Sequence, residues 1–167
     1  FRRVLFRSAA KPLPKAAAEL AAAACCFGAA GCKLAVVELP DAGLAAALPK
    51  MPVCAVTAIG SDGVSRSVER SAALAAGVMR EGAVCVTAPE QPKPALSELI
   101  VAAGKANCEL VVPDPEDITF LDAEKLNSKV DYGGYPIPLT FLGRHAVGNA
   151  ALAVELALAL WRKGFDI

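Results

Sequence analysis

The chain is 167 residues long, 55% of them hydrophobic, with 17 basic and 17 acidic side chains. That length suits one domain with a buried core, and the apolar content argues against disorder. The charge balance excludes a general pull toward nucleic acid or an anionic membrane. The longest apolar run, residues 20–30, is about 11 residues, against the roughly 20 a membrane-crossing helix needs.

The first eight residues, FRRVLFRS, differ from the rest and read as a non-native leader, so the fold is sought in residues 9–167. Pro14 to about Ala30 reads as an alanine-rich helix, with Gly31 past its end. Cys32–Leu39 (CKLAVVEL) is continuously apolar, the pattern of a strand covered on both faces. Asp41–Leu48 suits a short helix or turn. Pro52–Ile59 (PVCAVTAI) is a second buried strand, ended by Gly60-Ser61-Asp62-Gly63.

Ser67 opens a helix that runs to about Arg80, and Ala83–Thr87 (AVCVT) is a third strand. Pro94–Ala106 forms another helix and Cys108–Val112 a fourth strand. This strand–helix alternation predicts an α/β fold, a three-layer sandwich on a largely parallel sheet. The rhythm then breaks. Residues 113–134 are polar, and Lys129–Tyr132 pairs with Ile137–Leu142 as an antiparallel hairpin at the sheet edge. A last helix, from about His145 to Lys163, carries Val147, Ala151, Val154, Leu158 and Trp161 on one face.

The six cysteines contain no CxxC pair, and His145 is the only histidine, so no zinc pattern is present. Cys54, Cys85 and Cys108 fall in or beside strands, and Cys25-Cys26 falls in a helix. Reduced, buried thiols in the cytoplasm are the expectation.

Ligands of open parallel sheets bind beyond the carboxyl ends of the strands. Three places qualify. Glu38 ends the first strand, where a carboxylate is either solvated at the rim or held by a metal. Asp62 follows the second strand, as a turn residue or a ligand. Thr87–Gln91 follows the third. At the mouth of the last helix, Gly143-Arg144-His145-Ala146-Val147-Gly148-Asn149 offers free N–H groups and a guanidinium to an anion. No GxxxxGK[ST] phosphate loop occurs, and no nucleophile adjoins His145 to make a triad.

Taken in order, these segments resemble the central domain of the Mur-ligase superfamily, most of all its folate branch, the folylpolyglutamate synthase/dihydrofolate synthase family. Residues 33–43 (KLAVVELPDAG) are similar to that family's V-L-E-x-G segment, and residues 55–63 (AVTAIGSDG) to its I-T-x-I-G-x-D-H segment. Residues 74–78 (LAAGV) stand where E-K-A-G-I stands, and CVTAPEQP (85–92) matches a strand followed by T-x-x-Q. GRHAVGNAALA (143–153) is similar to G-R-H-Q-x-x-N-A-A-L-A, the one motif specific by itself.

The resemblance implies an ATP-dependent acid–amino-acid ligase. ATP phosphorylates a folate carboxylate, and the amine of glutamate attacks the acyl phosphate to form an amide. It further implies Glu38 and Asp62 at magnesium, Asn149 against the adenine, and Gly143, Arg144 and His145 framing the nucleotide. The implied partners are thus small molecules: ATP, folate and glutamate. Three positions depart from the family's pattern. Gly63 replaces the metal-binding histidine, Ala75 the lysine that is carbamylated to organise magnesium, and Ala146 the glutamine. The family's P-loop and carboxyl-terminal domain have no counterpart here, so the 167 residues by themselves are expected to be inactive. Two other readings stay open. One is a ligase-like domain that no longer catalyses and serves as a nucleotide-binding or interaction module. The other is a peptidoglycan-precursor amino-acid ligase.

Overall fold

A computed structural model of the chain describes residues 14–39, 42–48, 51–60, 67–124, 127–140 and 144–167. The chain divides into two units, Phe1–Pro49 and Lys50–Ile167.

In the first unit, helix α1 (Lys15–Ala29) begins after Pro14 and closes with Ala30 N–H on Cys26 O and Gly31 at φ 70°. Alanine favours the helix but brings little apolar surface to bury. Ala17 is the one buried side chain of α1 among the described residues. Cys25, Cys26 and Cys32 are exposed, against the expectation that all six thiols are hidden. A 3-10 helix, Ala42–Ala47, packs on α1 and buries Ala45.

Residues 32–39 do not form the expected buried strand. They pair with no strand among the described residues, and Val36 is 91% exposed. The strand preference of valine reflects packing against neighbouring strands, and no described strand pairs with this segment.

The second unit holds the parallel sheet, with strands β1 (Val53–Val56), β2 (Val84–Thr87) and β3 (Glu109–Val111) in that spatial order. Cys54 lies opposite Cys85, and Cys85 opposite Leu110. The crossover from β1 to β2 contains helix α2 (Val68–Ala75), capped by Ser67, whose Oγ accepts from Arg70 N at 3.3 Å. A 3-10 turn, Ala76–Val78, follows it. Helix α3 (Lys93–Ala106) joins β2 to β3. Pro94 sits in its first turn, and Asn107 ends it in the left-handed region at φ 50°.

All four residues of β2 are buried, which requires cover on both faces. On one face Val84 and Val86 meet Leu152 and Ala159 of helix α4 (Arg144–Arg162), with Val53, Val111 and Leu156 around them. Cys85 and Thr87 alternate to the other face, the side of α2 and α3, which pack on each other and bury Ala72, Ala95, Leu99 and Ala103. The stripe expected on the last helix is rotated from the one observed. Ala151 is buried as expected, but Leu158 and Trp161 are 45% and 69% exposed, because Leu152, Leu156 and Ala159 face the sheet instead.

The expected hairpin is present as β5 (Asn127–Tyr132) and β6 (Tyr135–Leu139). A further strand, β4 (Ile118–Glu124), pairs antiparallel with β5. The three form a sheet of their own, in order β4-β5-β6, rather than an edge of the parallel one. Tyr132 Oη donates to Glu155 Oε1 at 2.7 Å and ties this sheet to α4. Among the described residues no helix is long and apolar enough to cross a membrane.

Candidate functional site at the carboxyl rim of the parallel sheet

Strands β1 and β2 end side by side at Val56 and Thr87. Thr87 is the single buried polar side chain among the described residues. A buried hydroxyl needs partners, and this one has two. Its Oγ1 donates to Val56 O at 3.4 Å and accepts from Gln91 Nε2 at 2.8 Å.

Gln91 extends the link beyond the last rung of the ladder. Its Nε2 also donates to Thr57 O at 2.9 Å, and its Oε1 accepts from Ile59 N at 3.0 Å. One half-buried amide therefore binds the exit of β1 to the turn that follows β2. Backbone closure reinforces it, with Ala88 N donating to Val56 O at 2.9 Å.

Helix α4 arrives at the same turn. A Cβ placed on Gly148 would stand 3.7 Å from Cγ of Pro89, so the second turn of the helix lies against the Thr87–Gln91 segment. Asn149, the next residue, is exposed, and Arg144 and His145 form the helix's first turn. The structure thus brings together two regions that the sequence singled out separately, the T-x-x-Q turn and the mouth of the last helix. Thr87–Gln91 is legible as a rim segment from its place after a strand. Its hydrogen bonds to residues 57 and 59 carry no local sequence signal.

Asp62 and Gly143 lie outside the described residues. Glu38 is exposed on the unpaired segment of the first unit rather than at the end of a buried strand. Among the described residues no group of three or more His, Cys, Asp or Glu is arranged to hold a metal ion. Ala75, the last residue of α2, offers only a methyl group. Of the two acids assigned to magnesium, only Glu38 is among the described residues.

At the opposite, amino end of the strands, an open hollow of about 400 Å³ is lined by Gly82, Ala83, Asn107, Cys108, Glu109 and Lys163. Lys163 Nζ is already engaged there, donating to Gly82 O at 2.9 Å. Nearby, Cys85 hydrogen-bonds to its register partner Cys54. That bond, together with burial, pushes the Cys85 thiol far above the ordinary thiol range, so it is inert.

No protein-family model and no curated protein matches the sequence. Solved structures do. An FPGS–AMPPCP–folate complex aligns with 84% of this chain at a TM-score of 0.71 and 14% identity. The Mycobacterium tuberculosis folylpolyglutamate synthase complexed with ADP aligns with 82% at 0.65 and 20% identity. Folylpolyglutamate synthase from Thermotoga maritima aligns with 68% at 0.56 and 21% identity. The chain spans 37%, 34% and 27% of those proteins respectively. The fold is therefore the α/β fold of a folylpolyglutamate synthase segment, in agreement with the resemblance drawn from the sequence motifs.

Proposed function

We propose that this chain is the central portion of an ATP-dependent ligase that joins glutamate to a folate carboxylate in the cytoplasm. The observation that carries the reading is the rim. The T-x-x-Q turn and the start of α4 meet at the carboxyl end of a parallel sheet, within a fold that matches proteins solved with AMPPCP, folate and ADP.

In the reaction, a carboxylate oxygen of the folate attacks the γ-phosphorus of ATP, and the bond to ADP breaks. The amine nitrogen of glutamate then attacks the acyl carbon, phosphate leaves, and the nitrogen loses a proton as the amide forms. On this chain Asn149 faces the adenine, and Arg144 and His145 frame the nucleotide at the helix mouth, where free N–H groups favour anions. Glu38 and Asp62 are the acids that magnesium would require, and no step is assigned to that ion.

A second reading is favoured by one pair of residues. Gly63 and Ala75 supply no donor atom where the family pattern has histidine and lysine, as suits a domain that still binds nucleotide but no longer catalyses. Loss of even an outer partner at a metal site costs about 10–100-fold in affinity or activity. The deciding assay measures glutamate-dependent ADP release by the full-length protein, with folate and pteroate, beside Gly63→His and Ala75→Lys. Turnover by the unaltered protein supports the ligase. ATP binding without turnover, with activity gained by the double variant, supports the silent module. Absence of ATP binding in both removes both readings.

A further inference from the structure

The ladder between β1 and β2 ends at Val56 and Thr87, yet the chain continues through residues 57–59 before Gly60-Ser61-Asp62-Gly63. Among the described residues, the hydrogen bonds of Thr57–Gly60 all come from one side chain. Gln91 accepts from Ile59 N and donates to Thr57 O. A primary amide has two donors and one acceptor oxygen, and here all three are in use, the second donor on Thr87 Oγ1. The reverse orientation of the amide would set Oε1 against the Thr57 carbonyl and the NH2 against the Ile59 N–H. The network therefore admits one orientation. The partners lie 32 and 34 residues away in sequence, so this is a tertiary link and not a feature of the turn itself.

The amide thus extends the ladder by one more rung, at the place where β1 leaves the sheet. We infer that Gln91 is a positioning residue: its side chain fixes residues 57–60 against the Thr87–Gln91 turn and so sets the geometry in which the rim meets a nucleotide. The fixing of the segment stands on the hydrogen bonds alone, and the nucleotide rests on the function proposed above. Glu90 and Lys93, the charged residues flanking the amide in sequence, are exposed.

The test compares Gln91→Ala and Gln91→Glu with the unaltered full-length protein by three measurements: amide exchange at Ile59, affinity for AMPPCP, and Tm. In Gln91→Ala the protection of Ile59 falls about 5–10-fold, the worth of about one hydrogen bond, and AMPPCP binds about tenfold more weakly. Gln91→Glu separates positioning from mere bulk. Ionised, its carboxylate sets a bare oxygen against Thr57 O, and the repulsion raises its pKa and drives the side chain out of the network, so the bond to Ile59 is lost with it. It therefore behaves like Gln91→Ala near neutral pH. As pH falls and the acid regains a proton, it can donate again, and both exchange and affinity recover toward the unaltered protein measured at the same pH.

A fall in Tm with unchanged AMPPCP affinity would reduce Gln91 to a stabilising residue and overturn its positioning role. Unchanged protection of Ile59 in Gln91→Ala, or no recovery of Gln91→Glu on acidification, would overturn the clamp itself. Should the unaltered protein bind no AMPPCP, the ligase reading fails. The clamp is then judged by Ile59 exchange and its pH recovery alone.

Discussion

The two sheets of the second unit have three strands each and are held by different physics. The parallel sheet is a core. Val84, Val86, Cys85 and Thr87 of its central strand are all within about 1% of complete burial, between helices on both faces. The antiparallel sheet is a surface. Val130 is its one buried residue among those whose burial is described, while Phe120 and Tyr135 are 51% and 76% exposed. Local geometry takes the place of burial there. Gly133 and Gly134, at φ 60° and 87°, make the two-residue turn that pairs Tyr132 with Tyr135, and Asp131 Oδ1 accepts from Gly134 N at 2.8 Å. The lesson is that equal strand number implies neither equal stability nor equal tolerance of change.

That contrast is sharpest for Leu99, fully buried on the helix that backs the parallel sheet. Leu99→Ala is expected to cost about 2–5 kcal/mol, read by denaturant unfolding. A loss under about 1 kcal/mol would show the parallel sheet to be loosely packed after all. Next in size is Gly134→Ala, which forces a side chain into the left-handed region at a cost of about 1–2 kcal/mol. The effect should appear as faster amide exchange in β5 and β6, with β2 unchanged. If β2 loosens equally, the two sheets unfold as one.

Tyr132→Phe removes the link from the antiparallel sheet to α4 and should cost about 1 kcal/mol, since the bond is only half-buried. Its pH signature is distinctive. Burial first, and then the Glu155 hydrogen bond, raise the phenol's pKa above its ordinary value. The folded state therefore keeps a proton that the unfolded chain loses near pH 10, so this contribution is present below about pH 10 and fades as pH rises further. Stability of Tyr132→Phe should be flatter across that range, and an identical alkaline slope in both proteins would remove Tyr132 from the explanation. The smallest effect is expected for Phe120→Ser, within about 0.5 kcal/mol, because about half of the side chain is already exposed.

Much of the fold is legible where a residue's environment repeats along the chain. Continuous apolar runs mark β1 and β2, which are buried by their neighbours, and Gly133-Gly134 marks the hairpin. Legibility fails where a partner decides. Residues 32–39 have the composition of a buried strand but no ladder partner among the described strands, which left Glu38 in solvent. The heptad-like stripe of α4 ran from Val147 to Trp161, yet the sheet surface selected Leu152, Leu156 and Ala159. At the rim, position after a strand singled out Thr87–Gln91, and motif order linked it to Asn149. The bonds from Gln91 to residues 57 and 59 arise only once two distant strand ends are neighbours.

The division of the thiols has a practical corollary. Cys25, Cys26 and Cys32 are open to solvent in the first unit, while Cys54, Cys85 and Cys108 are enclosed in the second. A maleimide dye applied to the folded protein will consequently decorate the first unit and leave the second unmarked until it unfolds. Nature has supplied, without mutagenesis, a reporter that colours one unit and times the opening of the other.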